Sequence, residues 1–398
     1  MYFLGITRFS LFSPDSDAWN SSRASDKESR AYLDYLYSPA RMEPRLKIFG
    51  ELSLPILEKA ADKYELRHIV RYSEEMPKEY QDVLKSLADK YSFIILEPHV
   101  NGKSSLNPYE IGFSLNPECF GLYRLDDDDL LSSDFFDQVS RFVQPDFVGM
   151  RVSLARGVTA LYEGGEFSFV RECYKPQIAI GLMSIYGRDP SGSMIAPPDV
   201  PHNLSDRYGS VVLNAEKVSW LWTRHVGQDT VYGGDSPYEA VKRELLRYPA
   251  VHSHTQIDTI FPTLEGRLQS RKNRELASNV RIDGDGVWFE TGKDFTNFSV
   301  VLEAEFEDNL HPTSALLKFQ IADLDGNIMP AESPIEGLSI SPYEHIGYYR
   351  YLSTKAGRNT QEIEVSVPEG YKVVSIGVQP FGVTSRAFSL ISLAVREY

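Results

Sequence analysis

Residues 124–136 read RLDDDDLLSSDFF. Four consecutive carboxylates follow an apolar approach, FGLYRL (120–125), and two leucines and two phenylalanines come close behind. A solvated acidic tail would run on in polar residues. This run is one turn long and framed by core-type residues. The approach has the composition of a buried strand, and SSDFFDQVSRFV (132–143) has helical spacing with Ser132 or Ser133 as N-cap. The acidic turn is therefore expected between a strand and a helix.

The pattern upstream agrees with that reading. MYFLGITRF is a buried opening strand, LRHIVRYS (66–73) a second and SFIILEP (92–98) a third. PKEYQDVLKSLADKY (77–91) is a helix with Pro in its first turn. LKIFGELSLPILEKAADKY (46–64) also has helical spacing, though Pro55 must kink or divide it. Residues 13–45 are polar and punctuated by Pro and Ser, and predict loop or short helix rather than core. Apolar strands alternating with amphipathic helices predict an α/β fold, a mostly parallel sheet covered on both faces. Ligands of such sheets sit beyond the carboxyl ends of the strands. The carboxylates of 126–129 lie at that edge.

Downstream, residues 147–174 read as hairpin strands around a Glu-Gly-Gly turn at 163–165. A loop rich in Pro, Asp and His follows at 189–206, then the Trp-containing stretch NAEKVSWLWTRHVGQDT (214–230) and a helix at 236–248. A polar string near 265–280 marks a boundary, so the expected domains are 1–264 and 265–398. The second is all-β: seven or eight alternating segments separated by turns predict a jelly-roll-type sandwich.

Composition limits the partners. The chain has 398 residues, 41 Lys and Arg against 56 Asp and Glu, and a formal charge of −15. That balance excludes a nucleic-acid partner, which demands clustered cations. Cys119 and Cys173 are the only cysteines and have neither disulfide nor zinc spacing. No apolar run approaches the roughly 20 residues of a spanning helix. The expectation is a cytoplasmic protein, at most peripheral to the inner face of a membrane.

Carboxylate oxygens are hard ligands that suit Mg²⁺ or Mn²⁺, and Mg²⁺ takes only one or two of them, with water and phosphate as the remainder. Four like charges in one turn repel, which favours a cation nearby. A solvated acidic turn is the competing reading.

RLDDDDLLSSDFF resembles the Asp-x-Asp segment of GT-A glycosyltransferases. The chain is most similar to a rhamnosyltransferase family of bacterial polysaccharide loci, whose first strand ends in Thr-Arg-Phe, here Thr7, Arg8 and Phe9. That family also carries a Trp-rich segment ending in His, here Trp220, Trp222 and His225. The resemblance covers roughly residues 1–250 and leaves the β-rich tail outside. It implies a GT-A-like mixed sheet and a nucleotide-sugar donor, dTDP-rhamnose among them, with its diphosphate bridged by Mg²⁺ or Mn²⁺. It implies Asp126 and Asp128 as metal ligands, with His225 completing the shell. Arg8, Asp126, Asp127 and Arg224 are then the donor-binding candidates. Asp199, His202 and Asp206, in the 189–206 loop, are candidates for a base near the acceptor, which would be a glycan or lipid-linked glycan hydroxyl.

Each candidate has a plainer reading. Arg8 is equally a surface arginine, Arg224 a partner in an ion pair, and His225 an interior group with satisfied nitrogens. Arg124 screens the carboxylates. Trp220 and Trp222 fit core packing better than sugar stacking. His252 and His254 lack an acidic partner, and DGDG (283–286) is a turn before it is a Ca²⁺ site. The sandwich would bind acceptor glycan or hold a homo-oligomer. The alternative function is a non-catalytic glycan-binding or assembly protein with a degenerate transferase domain. A metal-dependent phosphoesterase ranks last, because the dispersed His and Asp ligands of a two-metal site are missing.

Overall fold

The computed structural model describes residues 2–12, 26–100, 103–228, 237–245, 247–249, 251, 256–269, 272–295, 297–335, 337–368, 370–383 and 385–397. It divides into two compact units, Met1–Leu268 and Gln269–Tyr398.

The first unit opens with β1 (Tyr2–Arg8), then α1 (Asp26–Leu36), α2 (Pro39–Lys47), a π-helical stretch (Ile48–Ser53) and α3 (Leu54–Ala61). β2 (Glu65–Ser73), α4 (Lys78–Lys90), β3 (Ile94–His99), α5 (Pro108–Phe113) and β4 (Cys119–Arg124) follow. After the acidic turn come β5 (Leu130–Leu131), α6 (Phe135–Ser140), β6 (Arg151–Leu154), β7 (Arg156–Glu163), β8 (Glu166–Tyr174), β9 (Met183–Arg188) and β10 (Met194–Ile195). The unit ends with α7 (Ser205–Tyr208), β11 (Val211–Asn214), β12 (Trp220–Arg224), α8 (Pro237–Leu245) and α9 (Ile257–Ile260).

The main sheet has the order β11-β6-β9-β4-β1-β2-β3, with β10 on β9. β1 is parallel to both β2 and β4, β2 to β3, and β11 to β6. β9 is antiparallel to its neighbours β4 and β6. The sheet is thus mixed α/β, with the carboxyl ends of β4, β1, β2 and β3 on one edge. The acidic turn leaves β4 at that edge.

A second sheet, β5-β12-β7-β8, overturns one expectation. Leu130 and Leu131 do not lead straight into a helix; they pair antiparallel with Trp220 and Leu221. The helix therefore starts later, with Asp134 and not a serine as N-cap, and Ser132 Oγ donates to Asp134 Oδ1 at 2.9 Å. This pairing sets the 220–225 segment beside the carboxylates. Trp220 is fully buried and donates through Nε1 to the Leu154 carbonyl at 2.6 Å, so it is a core residue. Its ring lies directly on Gly157, where a Cβ would collide with it.

Two further points concern the helices. The polar stretch before residue 46 contains α1 and α2, while residues 13–25 lie outside the described set. Pro55 stands where the π stretch passes into α3, in the first turn of α3, so the winding of the run divides there as expected. His252 and His254 also lie outside the described residues.

The second unit contains β13 (Lys272–Ile282), β14 (Val287–Phe295), β15 (Asn297–Phe306), β16 (Ala315–Asp323), β17 (Ser339–Ile340), β18 (Tyr348–Tyr351), β19 (Gly357–Ser366), β20 (Tyr371–Pro380) and β21 (Phe388–Glu397). β13 pairs with β21, β14 with β20, β15 with β19 and β16 with β18, all antiparallel. This is one long hairpin rolled into two sheets, a jelly roll. Phe298, Val300, Leu302, Leu390 and Leu393 from one sheet meet Leu317, Phe319, Ile376 and Val378 from the other in a single core. The DGDG segment is the turn from β13 to β14, closed by the Gly286 N–H on the Asp283 carbonyl at 2.8 Å.

A buried polar chain ties the main sheet to the acidic turn. Thr7 Oγ1 donates to the Leu125 carbonyl at 2.7 Å, one residue before the first aspartate. Thr7 must then accept from His68 Nε2, 2.8 Å away, and His68 Nδ1 accepts from the Tyr123 hydroxyl at 2.9 Å. Each donor meets an acceptor, so a neutral His68 is satisfied in a dry site. Gly5 permits this: a Cβ there would lie 2.6 Å from the Tyr123 ring and would also strike His68.

Burial lowers the pKa of His68 to about 3. An unfolded histidine takes up its proton near 6.5, so below that pH the unfolded chain binds more protons and stability falls as pH drops towards 3. Between pH 6.5 and about pH 5 this contributes roughly 1.5 kcal/mol. The stability advantage of the wild type over His68→Gln, measured by denaturant unfolding, is expected to shrink by that amount across this interval. A constant difference would contradict a buried neutral His68.

Candidate active site

The four aspartates have four different surroundings. Asp126 is half-buried, and Oδ1 accepts from Arg124 Nε at 2.9 Å and Nη2 at 2.7 Å. Asp127 is buried: Oδ2 accepts from the Ser10 amide at 2.8 Å and Oδ1 contacts Arg45. Asp128 is buried, and its Oδ2 lies 3.0 Å from Arg45 Nη1 and 3.1 Å from His225 Nε2. Asp129 is buried: Oδ1 accepts from the Thr223 amide at 3.0 Å, and its carbonyl accepts from Ser53 Oγ at 2.6 Å. Asp127 thus joins the turn to the end of β1, and Asp129 joins it to β12 and the π stretch. Ser10 has a φ of 41°, so the chain leaving β1 turns through the left-handed region and its amide is held by Asp127.

The electrostatics separate the buried three. For Asp128, burial opposes ionisation, but Arg45, then the hydrogen bond from His225, outweigh it and hold the carboxyl below the usual range. Burial raises Asp127, with Asp128 adding to the rise and Arg45 opposing it. Burial raises Asp129 well above the ordinary value, with Asp128 and Asp126 adding to it. Repulsion within the run therefore falls on the residues that serve as structural ties.

A cavity opens over the turn. Asp126, Asp127, Asp128 and Asp129 all line it, together with Arg8, Arg41, Arg45 and Arg124. Arg8 is exposed, and among the described residues no ion pair neutralises it. Its neighbours are both engaged, Arg124 with Asp126 and Arg71 with Glu97 at 2.7 Å. Ser10, Leu11, Tyr32, Leu36, Trp222 and Gln228 complete the lining.

Arg41 and Arg45 were not legible as site residues. They lie one helical turn apart on α2, and both are buried. Their Arg-x-x-x-Arg spacing was the available signal, since residues four apart share a helix face.

Other expected residues are placed elsewhere. Arg224 is buried, and its guanidinium forms a fork on the Glu244 carboxylate, with Nη1 to Oε1 at 3.1 Å. It is an ion-pair residue and is not among those lining the cavity. It also stacks on Trp222 at 4.4 Å, while Lys175 lies 4.2 Å from the same ring. Asp199, His202 and Asp206 are exposed, and none lines the cavity. Their loop is held by Arg151, through the Pro198 carbonyl at 2.9 Å, and by Gln177, whose carbonyl lies 2.6 Å from His202 Nδ1.

His225 is brought to the turn, with Nε2 3.1 Å from Asp128 Oδ2. The Gly227 amide donates to Nδ1 at 3.2 Å, which puts the ring proton on Nε2, facing Asp128. Among the described residues no three His, Cys, Asp or Glu side chains converge as a metal cage. The donor chemistry of Asp126 and Asp128 nevertheless fits Mg²⁺ or Mn²⁺. Of the four aspartates at the cavity, Asp127 and Asp129 are tied to backbone amides, and the two that remain are what such ions ordinarily receive from a protein.

The description "Putative rhamnosyl transferase" matches residues 2–232, more than half of the chain. The chain belongs to that family and is a glycosyltransferase. No curated protein sequence matches it. Among solved structures it is similar to a Bacillus anthracis chain described as a glucose-1-phosphate thymidylyltransferase, at 11% identity and TM-score 0.31, over 65% of this chain and 99% of that one. It is also similar to TarS residues 1–349 of S. aureus in complex with UDP-GlcNAc, at 9% identity and TM-score 0.27, over 67% and 72%. A third, the inositol-1-phosphate CTP transferase of T. maritima, has 10% identity and TM-score 0.23, over 63% and 98%. Scores this low carry no weight for the site, which stands on its own geometry.

Glu244→Ala is expected to lower stability by roughly 2 kcal/mol, less than for a fully buried pair because Glu244 keeps 32% of its side chain exposed. Nucleoside-diphosphate affinity, measured by calorimetry on the same protein, is expected to stay within about twofold. A large loss of affinity would return Arg224 to the ligand site.

Proposed function

We propose that this glycosyltransferase moves a sugar, rhamnose by the family description, from a nucleotide-diphosphate donor to a glycan hydroxyl in the synthesis of a bacterial surface polysaccharide. The observation that carries the reading is the mixed lining of the cavity. Carboxylates of the acidic turn, suited to a divalent cation, stand among arginines suited to phosphate, at the carboxyl edge of the sheet.

In the transfer, the acceptor oxygen forms a bond to the anomeric carbon as the bond from that carbon to the diphosphate oxygen breaks. The electron pair leaves with the diphosphate, and the acceptor proton passes to a base. Arg8, at the end of β1 and on the cavity, would pair with a diphosphate oxygen. Arg124, locked on Asp126, fixes that carboxylate's direction. His225 fixes Asp128 in the same way. When bound, Mg²⁺ or Mn²⁺ on Asp126 and Asp128 would supply Lewis-acid stabilisation of the leaving charge. Closure of the turn by Asp127 and Asp129 keeps both carboxylates at fixed spacing, which is pre-organisation rather than chemistry.

Asp126→Asn and Asp128→Asn are each expected to lower kcat/KM by roughly 100-fold or more. The assay is sugar transfer or donor hydrolysis with a panel of nucleotide-sugars, with and without Mn²⁺. Full activity in the double variant would refute the assignment.

The jelly roll would engage the acceptor. On the sheet face away from the core, Trp288, Gly377, Lys318 and Tyr349 lie in one cross-strand row. Trp288 is 40% exposed, and Tyr351, also 40% exposed, packs against Tyr349 at 5.1 Å. Exposed rings beside polar groups suit the apolar faces and hydroxyls of a sugar. In the full chain, Trp288→Ala is expected to weaken binding to acceptor polysaccharide by roughly fivefold with donor hydrolysis unchanged. Unaltered retention would point to the homo-oligomer role instead. Among the described residues no helix is long and apolar enough to cross a membrane, and a lipid-linked acceptor would be met at the cytoplasmic surface.

A further inference from the structure

The element that carries Arg45 has unusual winding. α2, the π stretch and α3 follow one another without a break from Pro39 to Ala61. In an α-helix each four-residue step overshoots a full turn by about 40°, so residues 41, 45, 49 and 53 would drift across about 120° of the surface. Hydrogen bonds of the i→i+5 type wind less per residue and take up part of that drift. The contacts show the result. Arg41 donates to the Gly227 carbonyl at 2.6 Å, Arg45 grips Asp127 and Asp128, Phe49 packs on Phe9 at 5.5 Å, and Ser53 donates to the Asp129 carbonyl. One row of side chains faces the acidic turn and its flanks.

Within that row Arg45 has a particular geometry. It is buried, it lines the cavity, and the same nitrogen, Nη1, contacts both Asp127 Oδ1 and Asp128 Oδ2. A cation that takes Asp128 through Oδ2 must share or displace that contact, while the contact to Asp127 can persist. We propose that Arg45 is a tethered cation: it offsets the charge of the acidic turn before a divalent ion arrives, competes with that ion for Asp128, and turns to the donor's diphosphate when ion and nucleotide bind together. The proposal rests on the reading of Asp126 and Asp128 as cation ligands. Its consequence is coupling. Metal alone meets a competitor, whereas metal with a nucleoside diphosphate gives the guanidinium a new anionic partner in the same cavity. Premature metal binding is thereby disfavoured, and each ligand tightens the other by the same factor.

The test is Mn²⁺ binding to the full chain, read by electron paramagnetic resonance, with and without dTDP or UDP, in the wild type, Arg45→Gln and Arg45→Lys. Arg45→Gln is expected to bind Mn²⁺ alone about tenfold more tightly than the wild type. The nucleotide is expected to tighten Mn²⁺ by about tenfold or more in the wild type and by less than about threefold in the variant. Arg45→Lys keeps the charge but carries it on a shorter, more flexible and more strongly hydrated head, so an intermediate gain of about threefold is expected even if the glutamine variant fails to fold. Unchanged or weaker Mn²⁺ binding in the folded variants overturns the role of Arg45 and leaves the metal reading intact. Absence of Mn²⁺ binding in every protein, with and without nucleotide, overturns both.

Discussion

Four carboxylates in a single turn cannot be packed under a sheet edge unless their charge is offset, and the contact of Arg45 with Asp127 and Asp128 is the main offset this structure makes. It joins α2 to a turn 82 residues further along the chain. With it in place, Asp128 is held ionised and Asp127 can sit buried against the amide of Ser10. Arg124 treats Asp126 similarly at the cavity rim. Such pairs are weak sources of net stability, but loss of one partner leaves a stranded charge, so they fix geometry strongly. Here the geometry they fix is that of the carboxylates lining the cavity.

The fold brings the remaining parts to the same place by ordinary means. Parallel strands β4 and β1 end at one edge, and the Thr7–His68–Tyr123 chain locks the residue before the first aspartate to the neighbouring strands. The two-residue strand β5 then docks on β12, which carries Thr223 and leads to His225. A short ladder of backbone hydrogen bonds therefore does what a longer helix start could not: it sets two distant segments in register around the turn. The Thr-Arg-Phe run at the end of β1 follows the same division of labour. Thr7 holds the turn, Arg8 faces the cavity, and Phe9 packs on Phe49.

How much of this was legible in the sequence depended on the range of the interaction involved. Strands β1 to β4 and helix α4 follow from local apolar patterns, and the rolled hairpin of the second unit follows from alternation and turns. The acidic turn and its place at the sheet edge were legible for the same reason. Arg41 and Arg45 were not, because PARMEPRLK is polar and holds two prolines, and these arginines are buried only by partners far along the chain. The π stretch leaves no mark in a 3.6-residue pattern. His225 was found, but its tautomer comes from the Gly227 amide, which only the folded chain reveals. Asp199, His202 and Asp206 were expected near the site from residue type and from a loop expected over the sheet edge; that loop is anchored on Arg151 and Gln177, and none of the three lines the cavity.

The central claim is that the carboxylates of Asp126 and Asp128 seat a divalent ion against a diphosphate at this edge. The most direct measurement is anomalous scattering from crystals soaked with Mn²⁺ and dTDP or UDP. The account predicts a manganese peak in the cavity, in contact with Asp126 or Asp128 and with nucleotide density beside it. Nucleotide bound in the cavity of such crystals with no manganese at either carboxylate would contradict it.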